Sequence, residues 1–343
     1  MGKFKVLVCG LPYGCQDARS DGTWLTDAQR TRIEGVSPDI ELYHLPAADL
    51  NSGSREAPVP NALLVETSGA EPSWENLPGV LFGQPLQRLF NPGLRFIQSA
   101  SAGVEHLVPL LPPDVVLCNA SGVHANAIAE TVLAVILGRA KMLAQRREDQ
   151  NQRLWRQLPC REISGSQMCI LGTGHIGTEV ARLAQAFDMT TTGVRRSPTP
   201  APNFDRVVDT SQLLDALRGA DFLVIACPLT PQTRGLIGSA ELAALPQGSV
   251  VVNVARGAII DEGALVEALS SGHLGGAFLD AQVQEPLPPD HPFWSMATVD
   301  ITPHDSHASQ LMGDRHVALF CDNLDRSLRG RELRNVIDAS RGY

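Results

Sequence analysis

The feature that most constrains this chain is a glycine-rich turn between a predicted strand and a predicted helix. The apolar run 168–171 predicts a buried strand, and apolar residues at helical spacing follow the turn. The turn itself reads Gly172-Thr173-Gly174-His175-Ile176-Gly177. In this context the first glycine permits a tight turn, the second lets a pyrophosphate approach the backbone, and the third lets helix pack on strand. We therefore predict that all six residues bind a dinucleotide at the helix N-terminus, the alternative being an ordinary glycine-rich turn.

The second predicted strand after this turn ends in two arginines. Arg195, Arg196 and Ser197 stand about 20 residues after the glycines, where an NAD site usually has Asp or Glu to bond the ribose 2′-hydroxyl. A carboxylate would repel a 2′-phosphate, whereas guanidinium groups bind it through charge-assisted hydrogen bonds. The sequence therefore favours NADP(H) over NAD(H). The alternative is that both arginines are solvated loop residues and the cofactor is NAD(H).

Size, charge and cysteine placement narrow the class of protein. A chain of 343 residues predicts two domains. A net charge of −9 argues against nucleic acid as a partner, and the lack of any run of ~18 apolar residues predicts no membrane span. The seven cysteines form no C-x-x-C pair, and most lie in apolar runs. This pattern predicts reduced, buried thiols in a cytoplasmic protein and disfavours a thiol nucleophile.

Strand-like and helix-like segments alternate along most of the chain. The first ~115 residues predict a small α/β domain with a parallel sheet. A long helix is predicted from Ala125 to about Arg147, and its apolar first half, 128–137, suggests burial between domains or subunits. From Ser166 the alternation resumes. Strands are predicted there at 167–171, 190–194, 222–227, 249–254, 277–279 and 298–301.

Three residues whose side chains could take part in catalysis each follow one of these strands. Arg256, Glu285 and His304 would gather at one sheet edge, because the carboxyl ends of parallel strands border the ligand crevice. Arg256 could bind a carboxylate in a forked geometry, His304 could transfer a proton, and Glu285 could favour its protonated form. Taken singly, each could be an ordinary surface or loop residue. No metal is predicted, because the spacing of Asp305 and His307 fits no zinc pattern.

Several motifs occur in an order that resembles one family. From about residue 60 to 338, the chain is similar to the D-isomer-specific 2-hydroxyacid dehydrogenases. The segments that carry this resemblance are 101–106, 119–122 with 129–130, 172–177, 227–237, 252–257, 279–288 and 302–304.

The resemblance implies an α/β fold of two Rossmann-like domains with parallel sheets. A flavodoxin-like split substrate domain would comprise residues 1–120, completed by 304–343. The NAD(P)-binding Rossmann domain would comprise residues 121–303. Family members are usually homodimers joined through the cofactor domains, which suits the apolar segment 128–137.

The resemblance also implies roles for individual residues. The catalytic set would be Arg256, Glu285 and His304, with hydride passing between the nicotinamide and the substrate C2. The substrate would contact Arg256, His304 and the amides around Ala102, Gly103 and Val104. Further cofactor contacts would come from Cys227, Pro228, Thr233, Val254, Ala255 and Asp280, the last near the nicotinamide carboxamide.

Some positions refine or depart from the family pattern. Asp305, Ser306 and His307 stand where the family usually has small or apolar residues, and segment 98–104 looks most like glyoxylate and hydroxypyruvate reductases. With the paired arginines, this predicts NADPH-dependent reduction of a small 2-keto acid. The alternatives are an NAD-linked dehydrogenase of a bulkier 2-hydroxy acid and a non-catalytic, co-repressor-like dinucleotide sensor. Residues expected to line the side-chain pocket are Tyr13, Trp74 and 67–71.

Overall fold

The chain folds into two compact units. The computed structural model describes residues 3–9, 25–53, 56–65, 86–104 and 106–338. The first unit comprises residues 1–124 and 308–343, and the second comprises residues 125–307. These boundaries lie four residues beyond the predicted ones at 120 and 303.

Among the described elements, a helix separates most pairs of consecutive strands. The strands are β1 Phe4–Cys9, β2 Ile40–Leu45, β3 Ala62–Val65, β4 Phe96–Ser99, β5 Val116–Cys118, β6 Gln167–Leu171, β7 Thr190–Arg195, β8 Arg206–Asp209, β9 Phe222–Ile225, β10 Val250–Asn253, β11 Gly276–Leu279 and β12 Val299–Ile301. The α-helices are α1 Asp27–Glu34, α2 Ala47–Ser52, α3 Ala125–Ala140, α4 Leu143–Asn151, α5 His175–Ala186, α6 Leu213–Leu217, α7 Ser239–Ala244, α8 Glu262–Ser270 and α9 Met312–Leu328. None of the described helices is long and apolar enough to span a bilayer.

The first unit contains a five-stranded parallel sheet in the order β2-β1-β3-β4-β5, which is the flavodoxin-like order. Helix α9 returns from the far end of the chain and buries Val317, Phe320 and Leu324 in the same core as β1 and β3. The buried amide of Asn323 then donates to Gln98 Oε1 at 2.8 Å. The last part of the chain therefore completes this unit through both apolar packing and a buried hydrogen bond.

The second unit contains a seven-stranded parallel sheet in the order β12-β11-β10-β9-β6-β7-β8. The connections run in one direction from β6 to β8 and in the other from β9 to β12, so the topological switch point lies between β6 and β9. In such sheets ligands bind beyond the carboxyl ends of the strands at this point. The predicted fold class, α/β with two Rossmann-like parallel sheets, is confirmed.

Helix α3 is buried within its own unit. Ala129, Val132 and Ile136 belong to the same core as Ile170 of β6 and Val224 of β9. Packing against the sheet therefore accounts for much of the apolar first half of this helix.

The structure differs from the predicted elements in the region of α3 and α4 and at β8. The helix predicted from Ala125 to Arg147 is broken, because Met142 has a left-handed φ of 54° between α3 and α4. The Lys141 carbonyl leaves the helical ladder and instead accepts from Arg146 Nε at 3.0 Å. Strand β8 was missed, because it is a four-residue strand at the sheet edge with only Val208 fully buried.

Candidate active site

The cofactor and catalytic residues predicted in the second unit all follow the carboxyl ends of its strands. The glycine turn follows β6, the arginine pair ends β7, and Cys227 follows β9. Arg256 follows β10, and Glu285 and His304 come after β11 and β12. Because these strands are parallel neighbours in one sheet, their carboxyl ends share one edge.

The three glycines of the turn have different surroundings. Gly172 has φ of 109°, and a Cβ there would lie 2.6 Å from the Ala226 carbonyl oxygen. A Cβ on Gly177 would lie 1.9 Å from the Gly172 oxygen, so α5 packs against the turn after β6 too closely for any side chain at this position. A Cβ on Gly174 would meet no atom within 4 Å, immediately before α5 begins at the exposed His175. This open space at a helix N-terminus fits a bound pyrophosphate.

The arginine pair is available to a ligand. Arg195 is half-buried at the end of β7, while Arg196 and Ser197 are exposed. Among the described residues, neither guanidinium has a hydrogen-bond or ion-pair partner. Cationic groups without an internal partner at this position fit a phosphate on the ribose.

The predicted cofactor residues after β9 and β10 lie in the loops that follow these two strands. Thr233 Oγ1 donates to the Pro228 carbonyl at 2.7 Å and accepts from Thr230 N at 2.7 Å, so this hydroxyl closes the turn that follows β9. Cys227, Val254 and Ala255 are buried. Burial raises the pKa of the Cys227 thiol to about 12, which leaves it un-ionised and unreactive as a nucleophile.

Arg256 is held beside the loop that carries Glu285. The Asn253 amide accepts from Ala255 N and donates to the Arg256 carbonyl, both at 3.0 Å, which fixes the backbone after β10. A Cβ on Gly257 would lie 2.1 Å from the backbone carbon of Gln282, so the two loops are in direct contact. The Arg256 side chain is half-buried, and among the described residues it donates one bond, from Nη1 to the Ala255 carbonyl at 2.8 Å.

Glu285 and His304 form a hydrogen-bonded pair. His304 Nδ1 lies 3.0 Å from both carboxylate oxygens of Glu285. Because a carboxylate only accepts, Nδ1 carries the hydrogen and Nε2 faces away from the pair. Among the described residues, nothing else bonds to this imidazole. The ring can therefore exchange a proton with a ligand through Nε2 while Glu285 fixes its orientation.

The surroundings of Glu285 keep it ionised. Burial raises the pKa of Glu285, but His304, the Gln282 N–H at 2.9 Å and the charge of Arg256 outweigh that effect. The pKa of Glu285 consequently lies below its ordinary value. The three residues predicted as the catalytic set are thus electrostatically coupled.

The His304 loop is anchored by Asp280. Asp280 Oδ1 accepts from Thr302 Oγ1 at 2.7 Å and from the N–H groups of Asp305 and Ser306 at 3.0 Å, and Oδ2 accepts from the Ser306 hydroxyl. His304 itself has a left-handed φ of 57°, which a non-glycine residue keeps only when its neighbours are well held. The structure therefore shows Asp280 bonded to the loop, and its expected contact with a nicotinamide stays a prediction.

A second histidine lies close to the pair. Burial lowers the pKa of His307, and the charge of His304 lowers it further against the opposing effects of Asp280 and Asp305. Among the described residues, no group of three His, Cys, Asp or Glu could hold a metal ion.

The predicted substrate residues Ala102, Gly103 and Val104 lie in the first unit, directly after β4. Ala102 is exposed and Val104 is buried. Two of the expected pocket residues, Tyr13 and Trp74, and the segment 67–71 lie outside the described residues.

Sequence reasoning missed the residues that hold these loops in place. Thr302 and Ser306 bind Asp280 in the second unit, and Asn119 binds the Ala102 carbonyl in the first unit. Ser306 departs from the family pattern, and that departure was the available signal. Asn119 lay within a matched motif but carried no signal of its own, because its partner is 17 residues away in sequence.

The fold and this site are those of a dehydrogenase that uses a nicotinamide dinucleotide. A family model described as the NAD-binding domain of D-isomer-specific 2-hydroxyacid dehydrogenases matches residues 133–306. The chain belongs to this family, whose members are NAD(P)-dependent oxidoreductases acting on small 2-keto and 2-hydroxy acids.

Individual relatives agree with this assignment. A glyoxylate reductase of Aeropyrum pernix is 31% identical over 258 residues, which is 72% of this chain and 77% of the relative. A D-isomer-specific 2-hydroxyacid dehydrogenase family protein of Aeromonas salmonicida has a TM-score of 0.81 at 30% identity, covering 98% of this chain and 100% of that one. An NADPH-dependent glyoxylate/hydroxypyruvate reductase of Sinorhizobium meliloti, solved with NADP and sulfate, has a TM-score of 0.77 at 27% identity, covering 99% and 100%.

Proposed function

We propose that the protein reduces a small 2-keto acid of the glyoxylate or hydroxypyruvate type to the D-2-hydroxy acid, with NADPH as cofactor. The observation that carries this proposal is the His304–Glu285 pair, whose imidazole keeps Nε2 open at the sheet edge that also bears Arg256 and the glycine turn. The names of the Aeropyrum and Sinorhizobium relatives support the substrate class.

Each side chain has a defined task in this proposal. The guanidinium of Arg256 binds the substrate carboxylate, because a single one of its donors is used within the part of the chain that the structure describes. His304 donates a proton from Nε2 to the carbonyl oxygen in reduction and takes it back in oxidation. Ionised Glu285 fixes the ring and stabilises its protonated form. The bound nicotinamide supplies the hydride.

The remaining residues bind the two ligands. The turn 172–177 holds the pyrophosphate, and Arg195, Arg196 and Ser197 hold the 2′-phosphate. The backbone at 227–228 and 254–255, with Thr233 and Asp280, borders the rest of the cofactor. We expect the amides of Ala102, Gly103 and Val104 to bind the substrate.

Preference for NADPH is tested by replacing both Arg195 and Arg196 with Ala. Loss of two charge-assisted contacts should raise the KM for NADPH about 10- to 100-fold and leave the KM for NADH nearly unchanged. The matched control is Arg182→Ala, which removes an exposed arginine of α5 that pairs with Glu179. An unchanged KM for NADPH in the double variant would overturn the cofactor assignment.

A homodimer is the proposed assembly, and the segment after α4 supports it. Trp155 is fully exposed at 104% of its reference surface, and the adjacent Leu154 is also exposed. The buried carboxylate of Asp149 holds this segment through a two-fold contact with Arg156 at 2.7 Å. A fully exposed tryptophan beside an exposed leucine favours contact with another protein chain.

A cytoplasmic location is the proposed setting. The six described cysteines are all free, and burial raises the pKa of Cys118 and Cys169 to about 12. Free thiols buried in this way suit a reducing compartment.

A further inference from the structure

Three consecutive carbonyl groups of the loop after β4 accept hydrogen bonds from one segment of the chain. All three bonds come from the segment 119–124, in the same unit. His124 Nε2 lies 3.3 Å from the Ala100 carbonyl, Ala120 N donates to Ser101 O at 3.0 Å, and Asn119 Nδ2 donates to Ala102 O at 2.7 Å.

The same bonds determine where the amide groups of this loop point. In a planar trans peptide, the carbonyl of one residue and the N–H of the next point in opposite directions. The bond from Ala120 therefore turns the Ala102 N–H outward, and the bond from Asn119 does the same for Gly103. Among the described residues, the N–H groups of Ala102, Gly103 and Val104 have no hydrogen-bond acceptor.

Asn119 is itself firmly held. Its side chain is buried, and Oδ1 accepts from Ser121 N at 3.0 Å. Its backbone N–H donates to Asn335 O at 3.0 Å, and its carbonyl accepts from Gln98 Nε2 at 2.9 Å and Asn335 Nδ2 at 3.3 Å. With both backbone groups and the side-chain oxygen occupied, the amide nitrogen is fixed toward Ala102.

We propose that Asn119 is a positioning residue for substrate binding. By holding the Ala102 carbonyl, it aims the Gly103 N–H at the carboxylate of the 2-keto acid. Asn119 does not touch the substrate and acts only through the peptide plane. This inference rests on the proposed function, because it requires that the loop bind a carboxylate.

The test measures binding of oxalate, a dicarboxylate resembling glyoxylate, to the NADPH-saturated protein by calorimetry. Asn119→Asp keeps the shape but replaces the donor with an oxygen facing the Ala102 carbonyl, and Asn119→Ala removes the donor. Both variants should bind oxalate about tenfold more weakly, because a hydrogen bond to a charged group is lost or misdirected. The KM for glyoxylate should rise in parallel, while NADPH affinity stays unchanged.

Asn61→Ala is the matched control. Asn61 also joins two backbone groups, accepting from Lys5 N at 2.8 Å and donating to Gly93 O at 3.0 Å. It lies just before β3, at the amino ends of the strands, whereas the loop after β4 lies at their carboxyl ends. It should lower stability without changing oxalate affinity.

The outcomes separate the two proposals. Weak oxalate binding confined to the Asn119 variants supports the inference. Wild-type affinity in both Asn119 variants, or an equal loss in Asn61→Ala, overturns it while the proposed function stands. If the wild-type protein binds no oxalate and reduces no 2-keto acid, the proposed function fails and this inference fails with it.

Discussion

At the residue scale, the proposed proton transfer depends on one imidazole–carboxylate pair. Glu285→Gln keeps an oxygen that can accept from His304 Nδ1 at the observed 3.0 Å but removes the charge. The kcat/KM for reduction should therefore fall and its pH profile should change, because the ionised partner of the imidazole is lost. His304→Ala should lower kcat about 10²- to 10⁴-fold across the whole pH range.

A second histidine–glutamate pair provides the control for this prediction. His291 Nε2 lies 3.0 Å from Glu262 Oε1 in the same unit. Glu262→Gln should leave the pH profile of reduction unchanged. A Glu285→Gln profile that superimposes on the wild-type profile would contradict the role given to the carboxylate.

The placement of the proposed catalytic residues could be predicted from the sequence, but the residues that hold them in place could not. Arg256, Glu285 and His304 each follow a recognisable strand, and parallel strands bring their ends together. The bonds from Asp280 to Ser306, and from Asn119 to Ala102, depend on how loops turn in three dimensions. Periodicity and spacing contain no information about such contacts.

At the element scale, the glycine turn separates folding from cofactor binding. Gly174→Ala should fold with nearly wild-type stability, because the added Cβ meets no protein atom within 4 Å. It should nevertheless weaken NADPH binding at least about tenfold, since the methyl group fills the approach of the pyrophosphate. Gly177→Ala should instead destabilise the fold by several kcal/mol, because its Cβ would lie 1.9 Å from a backbone oxygen.

Thermal unfolding and NADPH titration of the two variants test this distinction. Arg195, which ends the next strand, is unchanged in both variants, so a difference in NADPH affinity between them does not come from loss of this arginine. Normal NADPH affinity in Gly174→Ala would show that the pyrophosphate does not approach this residue.

Elements with a strong apolar period were predictable, and those defined by a local exception were not. The buried strands β6, β9 and β10 lie within the predicted ranges. The break at Met142 escaped prediction because both flanking segments favour helix, and only a left-handed residue between them ends α3. Strand β8 escaped because an edge strand buries little of its surface.

At the scale of the whole molecule, the order of the chain through two sheets followed from the family resemblance, and the homodimer that the resemblance implies stays a prediction. The apolar segment 128–137 suggested a subunit interface, yet α3 packs into its own core. The exposed segment around Trp155 supports the homodimer better, because its apolar side chains have no such explanation.

Substitution of the exposed tryptophan tests the assembly. Trp155→Ala should convert a dimer into a monomer, measured by light scattering after size-exclusion chromatography, since a buried aromatic anchor often dominates an interface. Trp294→Ala is the control, because Trp294 is also 57% exposed. A monomeric wild-type protein, or an unchanged dimer in Trp155→Ala, would contradict this location of the interface.

The central claim is best tested by steady-state oxidation of NADPH and of NADH against glyoxylate, hydroxypyruvate, pyruvate, 2-ketoisocaproate and phenylpyruvate. We predict turnover with a clear preference for NADPH and for the two smallest polar acids, glyoxylate and hydroxypyruvate. Preference for NADH with a bulkier acid would contradict both the role of Arg195 and Arg196 and the substrate class. Tight NADPH binding without turnover of any acid would contradict catalysis by His304 and point to a dinucleotide sensor.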